Sequence, residues 1–444
     1  MEAYLGVDVG TGSVRCAAFD REGNMLGQPA TREIKLNSPC DNYYQQSSTD
    51  IWHAVSKVIT EVIQQGGINV LGIGFDATCS LVNIDQEGNG ISIDPTDPSS
   101  EWDVILWMDH RSQIETDLLN SKPCKAHSYV GRKFSPEMEL PKLMWIKRHM
   151  PDRWNRIAHS FDLVDFLTYK CTGNTARSVC TLVCKWGWIP SDNGGGDWEE
   201  DIIELTGLTE LRNITTGEVM FPGSSIGSGL TEQAARKLGL RPGTPVGAGL
   251  IDAHAGALGI LQTTTAEASP GQNRMAIIAG TSCCHMFLLD KERLVPGVWG
   301  PYRHALLPHR FLLEGGQTTA GATLDWLQRF TGKTFTELET SVGDIAALDE
   351  KNDLTVVTDF HGNRSPLADP SIKGSISGLT IATDPADVFV AIMQGLAMGT
   401  RHITERIQHE CNLTIGELVL TGGLAKSKLF QKINANVNQV IKIE

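Results

Sequence analysis

Two aspartates stand where an apolar run meets a turn, and carboxylates so placed can hold a metal ion or take a proton. Asp8 lies in the β-prone run Tyr4–Val9, beside the turn Gly10-Thr11-Gly12-Ser13. Magnesium prefers one or two carboxylates with phosphate and water, so Asp8 suits it; a turn-capping aspartate is the plainer reading. Asp252 follows the apolar stretch Val246–Ile251 and opens Ala253-His254-Ala255-Gly256-Ala257-Leu258-Gly259, a small-residue helix start. A group between a strand's C-terminal end and a helix N-terminus lies where α/β folds bind ligands. Such a helix end can also stabilise a transferred phosphoryl group, with simple N-capping as the alternative. His254 reads either as a ligand contact or as a satisfied buried histidine. Trp107-Met108-Asp109-His110-Arg111 combines an aromatic wall, a carboxylate and a cation, a set suited to a polyol.

Glycine turns supply the other chemistry. Gly10–Ser13 and Gly280-Thr281-Ser282 can aim backbone N–H groups and hydroxyls at anionic oxygens. Glu314-Gly315-Gly316-Gln317 and Thr421-Gly422-Gly423 offer two more close backbone approaches. Each is equally a tight strand turn that uses glycine for geometry alone. Familiar nucleotide motifs fail: Arg15 occupies the third glycine of a dinucleotide fingerprint, and Leu327 the first glycine of a P-loop ending in Gly332-Lys333-Thr334. Asp109-His110-Arg111 reverses the protein-kinase order.

The elements that position these residues alternate between strand and helix. Val14–Phe19 is a second strand, and a helix from Asp50 carries Ile51, Val55, Val58, Ile59 and Val62 at helical spacing, capped by Ser48 or Thr49. Val70–Phe75 is a buried strand that delivers Asp76-Ala77-Thr78-Cys79-Ser80. Strand, Gly-Thr turn and strand return at Arg274–Ala279 and Cys283–Leu289, which suggests two related α/β domains. Thr263–Asn273 is polar and turn-rich and reads as the linker. Asp384-Pro385 starts a helix that should run to about Gln408, followed by a strand at Glu417–Leu420 and a short helix from Ser427.

Composition bounds the partners. With 52 acidic and 38 basic residues among 444, the net charge is −14, which argues against nucleic acid or an anionic membrane. The most apolar long stretch, Met275–Leu289, is broken by Thr281, Ser282 and His285 and is too short to span a bilayer. No basic segment precedes an apolar one at the N-terminus, so a cytoplasmic protein is expected. Ten cysteines without a C-x-x-C pair read as buried thiols. Cys180 and Cys184 can share a helix face, but their sequence neighbourhood offers no further metal ligand, so a structural zinc is not expected.

In order along the chain, Gly6–Arg15, Trp107–Arg111, Leu250–Gly256, Ala279–Ser282, Glu314–Gln317 and Thr421–Ser427 resemble the FGGY carbohydrate kinases. Gly74–Val82, Val295–Tyr302 and Asp359–Asp369 are similar to the family's D-ribulokinase branch. The resemblance implies an α/β, two-domain actin/hexokinase-like ATPase fold of ribonuclease H-like type with an interdomain cleft. It places a sugar-binding domain over 1–262 and a nucleotide-binding domain over 263–444. Family members continue with further strand and helix beyond the turn, whereas residues 428–444 are all that follow Ser427. The second domain is therefore expected to be incomplete.

The implied reaction is ATP- and magnesium-dependent phosphorylation of D-ribulose to D-ribulose 5-phosphate. Xylulose, ribitol or another polyol is the nearest alternative, and a catalytically weak sugar- or nucleotide-binding protein is the alternative of another class. By the same resemblance, Asp252 is the base that activates the sugar hydroxyl and Asp8 serves magnesium. Thr78, Cys79, Trp107, Asp109, Arg111 and Asp252 face the sugar. Gly10, Thr11, Gly12, Ser13, Arg15, Gly280 and Thr281 hold phosphates, and Gly316, Gln317, Gly422, Gly423 and Lys426 complete the nucleotide set. Sugar and ATP are the expected partners, and a homodimer is the family's common assembly.

Overall fold

The computed structural model describes residues 1–191, 195–261, 273–343 and 354–439, so the expected linker falls almost wholly outside the described residues. The chain divides into two units. Met1–Tyr129, Lys133–Ala255 and Tyr302–Arg310 form the first; Val130–Arg132, Gly256–Pro301 and Phe311–Glu444 form the second.

In the first unit the site rests on β1 (Glu2–Val9), β2 (Ser13–Phe19), β3 (Met25–Glu33), α1 (Ser48–Gln64), β4 (Asn69–Ala77), α2 (Val179–Lys185), β5 (Leu250–Ile251) and the start of α3 (Asp252–Leu261). The sheet order is β5-β4-β1-β2-β3, with β1, β4 and β5 parallel and β2 antiparallel to both its neighbours. Alternation along β1 buries Ala3, Leu5, Val7 and Val9, which join one apolar cluster with Ile51, Val55, Val58, Ile59 and Val62 of α1. The helix cap is Ser47, one residue earlier than expected, whose side chain accepts from the Asp50 N–H at 3.3 Å. β5 is shorter than the apolar run Val246–Ile251 because glycines interrupt it. Val246 only bridges Ile73, and a Cβ at Gly249 would stand 2.2 Å from Val164.

The second unit contains β6 (Arg274–Ala279), β7 (Cys283–Leu289), β8 (Phe311–Gln317), α4 (Gly321–Thr331), α5 (Pro385–Cys411), β9 (Glu417–Thr421) and α6 (Lys428–Asn438). Four strands of its sheet run β8-β7-β6-β9, with β6 parallel to β9 and the other pairs antiparallel. That is the order and direction of β3-β2-β1-β4, so the strand–turn–strand repeat extends to four strands. A capping box between Asp384 and Asp387 with Pro385 at the first turn starts α5, and Asn412 in left-handed conformation ends it beyond the expected Gln408. Its face with Phe389, Ile392, Leu396, Ile403 and Ile407 packs into the second core.

Glu314-Gly315-Gly316-Gln317 is not a turn. It lies inside β8, where a Cβ on Gly315 would meet Ile403 at 2.5 Å and one on Gly316 would meet the Arg364 guanidinium at 2.9 Å. The two glycines serve close packing against α5 and Arg364. No helix among the described residues is long and apolar enough to cross a membrane, and all ten cysteines are free.

The central position of β1 gives a stability test. Leu5 is 1% exposed within the first core. Leu5→Ala should cost about 2–5 kcal/mol, the usual range for emptying a buried leucine site. Urea unfolding followed by tryptophan fluorescence checks it, and a loss under about 1 kcal/mol would contradict this packing.

Candidate functional site

Parallel pairing places three carboxylates together. Asp8 of β1 pairs in register with Asp76 of β4, and Asp76 pairs with Leu250 of β5, two residues before Asp252. All three lie at the C-terminal ends of neighbouring strands. Burial pushes the Asp76 carboxyl well up; the charges of Asp8 and Asp252 and a hydrogen bond with Asp8 push the same way, and Arg15 opposes them. Arg15 Nη1 donates to Asp8 Oδ2 at 2.9 Å, with both side chains at least one-third exposed, so the pair is worth little as a stabilising bridge. Hard oxygen donors carrying more negative charge than one arginine offsets form a set that a hydrated divalent cation fits. Asp8 and Asp76 would hold magnesium, whose charge would offset both the burial and the like charges that push Asp76 up.

A backbone hydrogen bond closes the adjoining turn. Gly10 N–H donates to Ser13 C=O at 3.0 Å, while Thr11 is held by Gln46 Nε2 on its carbonyl and by Trp107 Nε1 on its hydroxyl at 3.0 Å. Gly12 is exposed and nothing lies within 4 Å of a Cβ placed there, while its carbonyl accepts from Ile34 N–H at 3.1 Å. Trp107 thus positions the turn as well as offering an aromatic face.

Residues expected to face the sugar separate into two groups. Thr78 and Ser80 leave β4 with their hydroxyls 3.1 Å apart, and Cys79 between them is buried. Burial pushes the Cys79 thiol well up, with Lys185, Asp162, Lys142 and Asp252 all close enough to act on it. Asp109 and Arg111, by contrast, have side chains of 0% exposure and bond each other through Nε and Nη2 at 2.8–3.0 Å. Asp109 also accepts from Tyr44 N–H, and Arg111 Nη1 reaches the Ile93 carbonyl. Their polar atoms pair with each other and with backbone groups inside the fold, next to Trp107.

Sequence reasoning missed the charges beneath Thr78 and Cys79. Lys142, Lys185, Glu139 and Asp162 are each at most 2% exposed. Burial pushes Glu139 up to about 7 against the pull of Lys142, 3.4 Å away. It raises Asp162 well above its ordinary range with Glu139 and Asp165 adding to it. Asp76 was also missed as a site residue. Its signal was available only in the pairing of two aspartates at matching strand ends.

In the second unit Gly280 N–H donates to Ser282 C=O at 2.9 Å, closing a turn one residue shorter than the first. β6 and β9 run parallel with Ile278 opposite Thr421, so the turns at Gly280–Ser282 and Gly422-Gly423 leave the sheet side by side. Gly422 needs its positive φ of 92°, and a Cβ there would stand 2.5 Å from the Ala279 carbonyl. Gly423 and Lys426 are exposed beside it. Gln317 is turned away, with Nε2 donating to Leu396 C=O at 3.0 Å and lying 3.3 Å from Thr400 Oγ1.

Residues 3–259 match the N-terminal domain model of the FGGY family of carbohydrate kinases, and residues 275–443 match its C-terminal domain model. An FGGY carbohydrate kinase domain-containing protein of Xenopus laevis is 41% identical over 472 residues, spanning 98% of this chain and 84% of its own. A D-ribulokinase of Saccharomyces cerevisiae is 33% identical over 494 residues, spanning 98% of this chain and 68% of its own. The structure of Plasmodium falciparum glycerol kinase with ADP superposes with a TM-score of 0.80 at 17% identity, covering 100% of this chain and 86% of that one.

The carboxylate cluster has a pH signature. Asp76 has a native pKa above its unfolded value of 3.8, so the native state holds the extra proton and stability falls as pH rises from there through the native value. Asp76→Asn should flatten that fall from pH 3.8 up to neutral pH and raise the neutral-pH Tm by a few degrees, roughly. Differential scanning calorimetry across that range checks it; parallel wild-type and variant curves would contradict the clustering.

Proposed function

The chain belongs to the FGGY family of carbohydrate kinases and is a sugar kinase, and on that premise we propose that it transfers the γ-phosphoryl group of ATP to a pentulose, D-ribulose, giving D-ribulose 5-phosphate. The observation that carries the reading is the cluster of Asp8, Asp76 and Asp252 at the ends of three neighbouring parallel strands. Similarity to the yeast D-ribulokinase supports the choice of sugar.

Phosphoryl transfer asks the protein mainly for position, charge neutralisation and a base for the attacking hydroxyl. Asp252 takes that proton. Thr78, Cys79 and Ser80 present small side chains and two hydroxyls to the sugar, with Lys185 beneath them. Magnesium, held by Asp8 and Asp76, would neutralise phosphate charge. The turns at Gly10–Ser13 and Gly280–Ser282 donate N–H groups to phosphate oxygens, and Gly422-Gly423 lets the nucleoside approach the backbone closely.

Asp252→Asn should leave folding and nucleotide binding intact while lowering kcat by roughly 10²–10⁴-fold, the usual worth of a positioned base. Coupled ADP release over a panel of sugars is the measurement, and near-normal turnover would remove Asp252 from the mechanism.

Specificity gives a second test. Ribulose and xylulose differ in the orientation of one hydroxyl, and a pocket built to hydrogen-bond such a group can discriminate by up to roughly 10⁴-fold. D-Ribulose should therefore exceed D-xylulose in kcat/KM, and Thr78→Val should narrow the gap with little change in Tm. A wild-type preference for xylulose or glycerol would overturn the substrate and leave the kinase standing.

A further inference from the structure

Among the described residues, one set of three side chains brings together metal-ligating atoms of the soft kind: Cys180, Cys184 and His254. The thiols lie one turn apart on α2, and His254 is the third residue of α3. All three are completely buried, their ligand atoms lie within 4.8 Å of one another, and Cys184 Sγ is 3.2 Å from His254 Nε2. The histidine that the cysteines lack in sequence is supplied by the fold, seventy positions downstream of Cys184.

These distances suit a tetrahedral ion. Zinc bonds of about 2.3 Å to sulfur and about 2.0 Å to nitrogen put neighbouring donors roughly 3.5–3.8 Å apart. The helix that carries the thiols is fixed from two sides. Ser178 Oγ donates to Gly249 C=O at 2.7 Å and accepts from Cys180 N–H, while Thr181 Oγ1 donates to Asp165 at 2.7 Å. The thiols and the imidazole are therefore held in place without an ion, and ligand placement costs little on binding.

The geometry points to a site for a soft divalent cation of the zinc type, held by Cys180 Sγ, Cys184 Sγ and His254 Nε2 with one tetrahedral position left for water. Binding releases both thiol protons, and the two thiolates cancel the charge of the ion, which removes the main cost of burying it. His254 lies two residues after Asp252, so the ion would fix the first turn of the helix that begins with that carboxylate. The site does not depend on the kinase reading, since it stands or falls on metal content alone.

Full-length, tag-free protein produced in cobalt-supplemented, zinc-poor medium tests it, because burial requires the ion to enter as the chain folds. About one cobalt per chain is expected, with thiolate-to-cobalt charge transfer and tetrahedral d–d absorption. The double variant Cys180→Ser, Cys184→Ser should lose both bands, and His254→Gln alone should lower retained cobalt at least tenfold, roughly the second-shell range or more. Cys124 lies 3.0 Å from His127 Nδ1 as a competing pair. Cys124→Ala should leave the spectrum unchanged. Folded wild type without charge-transfer absorption, bands that survive His254→Gln, or bands lost with Cys124→Ala would each overturn the proposal.

Discussion

Like charges stay close only where a backbone holds them there, and the parallel register of β1, β4 and β5 holds Asp8, Asp76 and Asp252. Each carboxylate alone would prefer water. Ladder hydrogen bonds and the apolar face shared with α1 outweigh that preference, and the Asp76 carboxyl is pushed well up, by burial first and by its like-charged neighbours second. Sheet, core and chemistry are therefore one problem in this unit. Slipping the pairing by one residue would turn every side chain of a strand to the opposite face and disperse the cluster.

Local signals made the turns and their strands legible. Gly10–Ser13 and Gly280–Ser282 could be read as strand turns because glycine and a small hydroxyl residue act within a few positions, and the apolar runs around them fix the strands. The caps of α5 were equally local: Asp384, Pro385 and Asp387 are near neighbours in sequence. What depends on distant pairing was misread. Two adjacent glycines at Gly315-Gly316 resemble a turn until Ile403 and Arg364, far along the chain, come to occupy the space they leave.

The polar residues followed the same divide. Asp109 and Arg111 have the composition of a ligand set, and a spacing of two also lets them bond each other as a buried pair. Lys185, Lys142, Glu139 and Asp162 carry no motif at all, because what makes them notable is complete burial of charge beneath Cys79. His254 beside Cys180 and Cys184 is the same lesson: two helices from distant segments meet, and no spacing rule anticipates the contact.

The two sheets share a strand order and a turn whose first glycine N–H closes it, yet their matching positions have diverged in charge. Two residues before Gly10 stands Asp8, paired with Asp76; two residues before Gly280 stands Ile278, paired with Thr421. One version of the design carries ionisable groups on adjacent strands, and the other carries an aliphatic residue and a hydroxyl. If the halves descend from a duplicated ancestor, the division of labour was made by side chains on an inherited backbone. The first copy keeps the acids at these positions, and the second does not.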